Sequence, residues 1–400
     1  MISLHDIRLA RERLKDGVSV TPCARSQRLS ARTGSELYLK LESLQHTGSF
    51  KERGARNKLL SLSDAEKSAG VIAASAGNHA QGVACHAQRL GIEATIVMPV
   101  STALVKVSAT RSYGAKVLLC GDNYDEACAE ALRLRDARGL TLVHAFDDDL
   151  IIAGQGTIGL ELLEQVPGLQ AVIVPIGGGG LIGGIAVAVK EQRPDIAVYG
   201  VETRLVPSMR RALDVGAPTQ VPARRTIADG IAVRSASDRT LALARRYVDD
   251  VVLVEEAEIA EAILLLLEAE KTVAEGAGAV ALAAVLEERL PVQGKRVALL
   301  ISGGNIDVNV LSRIIDRGLV KSGRAMRVRV LIPDVPGSLA ALLATIATCQ
   351  ANVLEVHHDR VGARSEVGQT EVELVLETRS FDHIADVQQA VRAAGWHIEH

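Results

Sequence analysis

Aromatic side chains are scarce in this 400-residue chain: one Trp, five Tyr and three Phe, 2% of the total. A core must therefore come from Ala, Val, Leu and Ile, and the stacking platforms that single-stranded nucleic acid needs are missing. A dominant charge sign is lacking too, with 45 Lys and Arg against 48 Asp and Glu, so no basic footprint exists for a phosphate backbone. Nucleic acid is excluded as a partner class. The five cysteines (Cys23, Cys85, Cys120, Cys128, Cys349) form no Cys-x-x-Cys pair, which removes both a disulfide framework and a zinc site. The opening residues, Met1 to Asp6, lack the basic-then-apolar pattern of a secretory leader. One uncharged stretch, Ala171 to Val189, runs for 19 residues but holds Pro175 and six glycines. It reads as a strand, a turn and a helix start, not as a membrane span. The expectation is a soluble cytoplasmic protein with no membrane partner.

What the chain does have is a hydrophobic content of 48% with 23% charged residues, an ordinary globular composition, at a length that suffices for two or three domains. Short β-branched runs alternate with alanine-rich amphipathic stretches from about residue 37 to 320. The runs are Leu37–Leu41, Val71–Ala74, Ala94–Met98, Val117–Leu119, Ala171–Val174, Ile196–Val201, Val251–Val254 and Val297–Ile301. Between them lie helix-face spacings such as Ala80, Val83, Ala84, Ala87 and Leu90. This alternation predicts an α/β fold with parallel sheets covered by helices, in which ligands sit at the carboxyl ends of strands. Composition shifts near Lys321–Gly323. Beyond it, Ala325–Ile332, Asn352–Asp359, Gln369–Glu377 and Trp396–Ile398 read as strands, and Gly337–Cys349 and Phe381–Ala393 as helices. That β-α-β-β-α-β order predicts a ferredoxin-like α+β domain.

Four segments carry chemistry. Thr47-Gly48-Ser49-Phe50-Lys51 sets a lysine ahead of a helix running from Arg53 towards Leu60. The positive end of a helix dipole and desolvation both favour its neutral, nucleophilic amine, the form that Schiff-base chemistry requires. Ser75-Ala76-Gly77-Asn78-His79 follows a strand and opens a helix, an anion cradle suited to a carboxylate; read alone, it fits an ordinary N-cap better. Gly177-Gly178-Gly179-Gly180-Leu181 can turn its N–H groups onto a phosphate. The same glycines, with Gly183 and with Glu202 at the next strand's end, also satisfy a nicotinamide-dinucleotide fingerprint. Ser302-Gly303-Gly304-Asn305 closes the last strand of the α/β part, where a hydroxyl suits a ligand's ring nitrogen.

In this order the four segments resemble the fold-type II pyridoxal-phosphate enzymes, the tryptophan synthase β-like fold. Glu42 to Ala55 and Ile152-Ala153-Gly154-Gln155-Gly156-Thr157 are similar to the threonine dehydratase (threonine ammonia-lyase) and serine racemase branch. The resemblance covers residues from about 5 to 320. The tail resembles an ACT domain, with Asp334 to Leu339 matching that family's strand-to-helix turn. The implied layout is a catalytic domain over 1–322, its smaller subdomain inserted at about 45–150, and an ACT regulatory domain over 323–400.

The resemblance implies pyridoxal 5'-phosphate as cofactor and residue roles that carry over where residues match. Lys51 would hold the cofactor covalently and act as base at the substrate Cα. Phe50 would pack near the ring, Asn78 would bond its phenolic oxygen, and Ser302 would meet its nitrogen. The amides of Gly177, Gly178, Gly179, Gly180 and Leu181 would hold the phosphate. Ser75, Gly77 and His79 would hold the substrate carboxylate. Ala76 stands where racemases of this branch carry a second serine as acid, which favours dehydration. Glu202 matches a first cation ligand of some relatives, but Leu205 to Met209 supplies no second carboxylate, so no metal is assigned. The implied activity is dehydration and deamination of L-threonine to 2-oxobutanoate and ammonia, with L-serine as a second substrate. A branched-chain amino acid is the implied effector at the tail, and a homo-oligomer, dimer or tetramer, the implied assembly. A nicotinamide oxidoreductase and an amino-acid sensor on a decayed scaffold are the competing readings.

Overall fold

The computed structural model describes residues 1–360 and 368–399. Two compact units divide the chain, Met1–Asp307 and Val308–His400. The division precedes the helix Val308–Lys321, which groups with the second unit although composition shifts only after it. Residues 361–367 and 400 of the expected C-terminal domain lie outside the described residues.

The first unit holds two sheets. The larger orders its six strands Cys23–Arg25, Glu36–Leu41, Arg296–Ile301, Ala171–Pro175, Ala197–Thr203, Asp250–Val254. Only the Cys23–Arg25 edge is antiparallel. The smaller sheet orders Lys116–Leu119, Ala94–Met98, Val71–Ala74 and Thr141–Leu142, all parallel. Every residue of Ala171–Pro175, Ala94–Met98 and Val71–Ala74 is buried, as continuous apolar runs between helical layers require. Cys23–Arg25 and Thr141–Leu142 have three and two residues, too few to show a period in sequence. The uncharged stretch resolves into the strand Ala171–Pro175 and the start of the helix Gly180–Lys190. Among the described residues, no helix is long and apolar enough to cross a membrane.

Strand order is what assembles the site. Glu36–Leu41, Arg296–Ile301 and Ala171–Pro175 are adjacent and parallel, so their carboxyl ends point the same way. The chain leaving them runs into Thr47–Lys51, Ser302–Asn305 and Gly177–Gly180 respectively. From the smaller sheet, Val71–Ala74 leads into Ser75–Gly77 and the helix Asn78–Arg89.

Two contacts hold the helix Lys51–Leu60. It packs on the helix Asp149–Gln165, where a Cβ added to Gly154 would lie 2.7 Å from Gly54 Cα; only glycine allows that approach. Behind it, the buried Arg53 guanidinium bonds Glu42 Oε1 and Oε2, each at 2.7 Å, and Glu161 Oε2 at 2.9 Å. Glu161 also takes Lys40, whose ammonium reaches Thr21 O at 2.8 Å. Two cations thus face two carboxylates in the interior, and Thr21 and Gln45 donate further bonds to Glu42.

The second unit has a four-stranded antiparallel sheet, ordered Asn352–Asp359, Gln369–Glu377, Ala325–Pro333, His397–Glu399. Helices Ser338–Thr348 and Phe381–Ala393 complete the expected ferredoxin-like order. Burial alternates along Gln369–Glu377, and Val372, Leu374 and Leu376 join Val328, Val330, Leu342, Ile346, Val387 and Val391 in one core.

Candidate active site

Lys51 is the first residue of its helix, with Phe50 as N-cap. Its amine donates to the Ala145 carbonyl at 3.0 Å and lies 5.1 Å from the centre of the Phe50 ring. Desolvation lowers its pKa to about 8, against an opposing pull from the Glu275 carboxylate. An amine in that range is neutral often enough near neutral pH to act as nucleophile or base.

The loop carrying Lys51 is stitched to the Ser302 loop. Phe50 N–H donates to Ser302 O at 3.1 Å, Gly304 N–H donates to Gly48 O at 2.9 Å, and Ser49 bridges Gly303. Asn305 Nδ2 donates to Thr47 O at 2.7 Å and to Asn78 Oδ1 at 2.8 Å. Asn78 Nδ2 in turn donates to Glu275 Oε1 at 2.7 Å. Asn78, Lys51 and Ser302, remote in sequence, therefore belong to one hydrogen-bonded set. Glu275 and Asn305 complete it, and sequence reasoning assigned a role to neither. Asn305 closes a segment that was singled out; Glu275, an acid before a Gly-Ala-Gly-Ala helix, carries no signal beyond a helix start. Burial lifts the Glu275 carboxyl to about 7.

The glycine turn joins this set through Ala145-Phe146. A Cβ on Gly178 would overlap the Phe146 ring, and one on Gly180 would lie 2.8 Å from Phe146 O. Gly179 has φ +90°, the left-handed region, and caps the helix Gly180–Lys190. Leu181 lies in that helix's first turn, where N–H groups have no intrahelical partner.

Ser75 Oγ accepts the N–H groups of Gly77 and Ala80, both at 3.3 Å, which shapes the turn into the Asn78 helix. His79 is a different matter. Its ring is buried and its Nε2 meets Val143 O at 2.8 Å. Burial, with the nearby Lys51 amine, pushes its pKa down to about 3. The ring stays neutral and works as a strut to the Val143 carbonyl. Glu202 accepts N–H groups from Met209 and Arg210, both at 2.8 Å, and so caps the helix Ser208–Val215. Both carboxylate oxygens are occupied by that helix, which removes the ribose-binding acid that the nicotinamide reading needs.

The residues present fit pyridoxal phosphate. Ser49 Oγ and Thr47 Oγ1 are buried beside Lys51 without a hydrogen-bond partner among the described residues, a costly state unless a ligand supplies one. A Cβ on Gly77 would meet nothing within 4 Å, so open space lies before the Asn78 helix. An amine, an amide, a hydroxyl-bearing loop and a glycine turn, linked through these contacts, match in type an aldehyde, a phenol, a ring nitrogen and a phosphate.

Comparison with known proteins agrees. Residues 14–303 match the model of the pyridoxal-phosphate dependent enzyme family. The chain is 51% identical over 398 residues to an L-threonine ammonia-lyase of Thermotoga maritima, covering 100% of this chain and 99% of that one. Among solved structures, it is similar to the processed form of threonine deaminase isoform 2 from Solanum lycopersicum, with a TM-score of 0.75 and 38% identity. That match covers 78% of this chain and 86% of the other. Serine racemase from Dictyostelium discoideum gives a TM-score of 0.72 at 36% identity, over 76% of this chain and 99% of the other. The chain belongs to the pyridoxal-phosphate-dependent enzymes, in the branch that holds the L-threonine ammonia-lyases.

Proposed function

We propose that Lys51 carries the deamination of L-threonine to 2-oxobutanoate and ammonia, and that L-serine is a second substrate. The observation that carries this reading is one lysine amine, with a pKa of about 8, beside buried hydroxyls that lack partners. Bound there, pyridoxal phosphate supplies a conjugated ring that withdraws electrons from the substrate Cα.

The chain's own groups do the rest. The amides of Gly177 to Leu181 would bind the phosphate, Asn78 would bond the phenolic oxygen, Phe50 would pack by the ring, and the Ser302 hydroxyl would meet the ring nitrogen. A serine there, unlike an acid, would place no negative charge beside that nitrogen to hold a proton on it. The Ser75 hydroxyl and the turn at Ala76-Gly77 would take the substrate carboxylate, with His79 holding their loop. The Lys51 amine, tethered over the site and partly neutral, removes the Cα proton. Ala76 supports elimination over racemisation, because a methyl group donates no proton from the opposite face.

Lys51→Ala tests the reading. Deamination falls at least about 10³-fold, while borohydride treatment of the wild type labels Lys51 as found by peptide mass. A wild type that takes up no pyridoxal phosphate would sink the proposal.

The second unit supports a regulatory reading, since the family match ends at residue 303 and a separate ferredoxin-like α+β unit follows. An amino acid, isoleucine or valine, bound at this ACT-like unit would change the rate of threonine deamination. Steady-state rates of the full chain with and without each amino acid decide it; no response eliminates it.

A further inference from the structure

Asn78 is gripped at both ends. Its Oδ1 accepts from Asn305 Nδ2 at 2.8 Å, and its Nδ2 donates to Glu275 Oε1 at 2.7 Å. Glu275 is buried. Its backbone N–H donates to Gly303 O at 3.0 Å, and it is the N-cap of the helix Gly276–Leu286. A Cβ on residue 303 would lie 2.5 Å from Glu275 Oε1, so the carboxylate occupies room that only glycine leaves.

An amide's two ends are nearly the same shape, and only hydrogen-bond partners decide which way it points. An ionised carboxylate accepts and never donates. With Glu275 on one side and the Asn305 amide donating from the other, a flipped Asn78 would put its oxygen against a carboxylate. We propose that Glu275 is a positioning residue that locks Asn78 with its second N–H free for the cofactor's phenolic oxygen. The inference deepens the proposed function and rests on the contact assigned there to Asn78. Burial, with Asp229, lifts the Glu275 carboxyl to about 7 against the Asn78 amide, Lys106 and Lys51, so the lock acts above that pH, where the carboxylate is ionised and only accepts.

The test is a double-mutant cycle on the full-length protein, stripped of cofactor and titrated with pyridoxal phosphate. Affinity is read by fluorescence and the position of the visible band by absorbance across pH. Glu275→Gln, which can donate as well as accept, weakens affinity about tenfold and moves the band. In an Asn78→Ala background the same substitution changes neither, because the group it orients is gone. Additive effects, or an unchanged affinity and band in Glu275→Gln, overturn the proposal. Should Glu275→Gln not fold, Glu275→Asp, whose carboxylate is one methylene short of the amide, replaces it with the same two outcomes. Borohydride trapping separates the two layers. Lys51 trapped in the wild type with an additive cycle defeats this inference alone, whereas no trapping at Lys51 defeats the proposed function with it.

Discussion

Lys51 and Arg53 are two residues apart in sequence and end in opposite environments. Around Arg53 every charge has a partner: Glu42, Glu161 and Lys40 form one buried set, and Thr21 and Gln45 bond Glu42 besides. Around Lys51, Thr47 Oγ1 and Ser49 Oγ are buried without partners, and the amine and Glu275 have pKa values drawn towards neutrality. A satisfied polar network has nothing left to offer a ligand and serves as an anchor. An unsatisfied one keeps its hydrogen-bonding capacity for a ligand. The helix Lys51–Leu60 is thus clamped at Arg53, which fixes the place of Lys51, whose amine rests on the Ala145 carbonyl beside hydroxyls with bonding capacity to spare.

Breaking the anchor has the largest effect on stability. Arg53→Met leaves two carboxylates buried against one lysine and costs about 3–5 kcal/mol, measured by urea unfolding. Acid probes the same cluster without mutation. Burial raises the Glu42 carboxyl, but the Arg53 guanidinium and the Thr21 hydroxyl lower it more, and the net shift is downward. A depressed carboxyl stabilises the fold above the ordinary value of about 4.3 and loses that contribution as pH falls further. Unfolding monitored below that point therefore becomes steeper in the wild type than in a Glu42→Gln variant.

The functional side of the comparison is sharpened by labelling. Reaction of Lys51 with an amine reagent in the cofactor-free protein rises with pH around a midpoint of about 8. Replacing Glu275 with Gln removes a negative charge that holds the proton on, and the midpoint drops. A midpoint near an ordinary lysine's, about 10.4, would show that the amine is not desolvated. The smallest effect is expected at Lys106, whose exposed pair with Asp229 spans 2.7 Å. Lys106→Ala shifts stability by less than about 1 kcal/mol, in contrast to Arg53.

Legibility followed locality. Lys51, Asn78, the Gly177–Gly180 turn and Ser302 stand at strand-to-helix transitions that a period change announces. Glu275 did not, because its partner Asn78 is 197 residues away and no local pattern links them. The Ala145 carbonyl, partner of the Lys51 amine, is likewise a backbone atom with no signature. His79 stands beside the binding loop, with its Nε2 on Val143 O and its buried Nδ1 without a partner among the described residues, an arrangement that sequence alone does not reveal. Glu202 is similar, since its place at a strand end fits a ribose, and only the following helix reveals it as a cap.

The sequence by itself determined the alternation of strands and helices, the ferredoxin-like order of the tail and the residue types from which a cofactor pocket can be made. Those are consequences of hydrophobic period and of turn chemistry, which act over a few residues. Tertiary structure alone decided which of those residues meet. Parallel pairing of Glu36–Leu41, Arg296–Ile301 and Ala171–Pro175 carries residues 51, 302 and 177 to one sheet edge. Burial then sets their charges, because desolvation depends on what the rest of the chain packs around them.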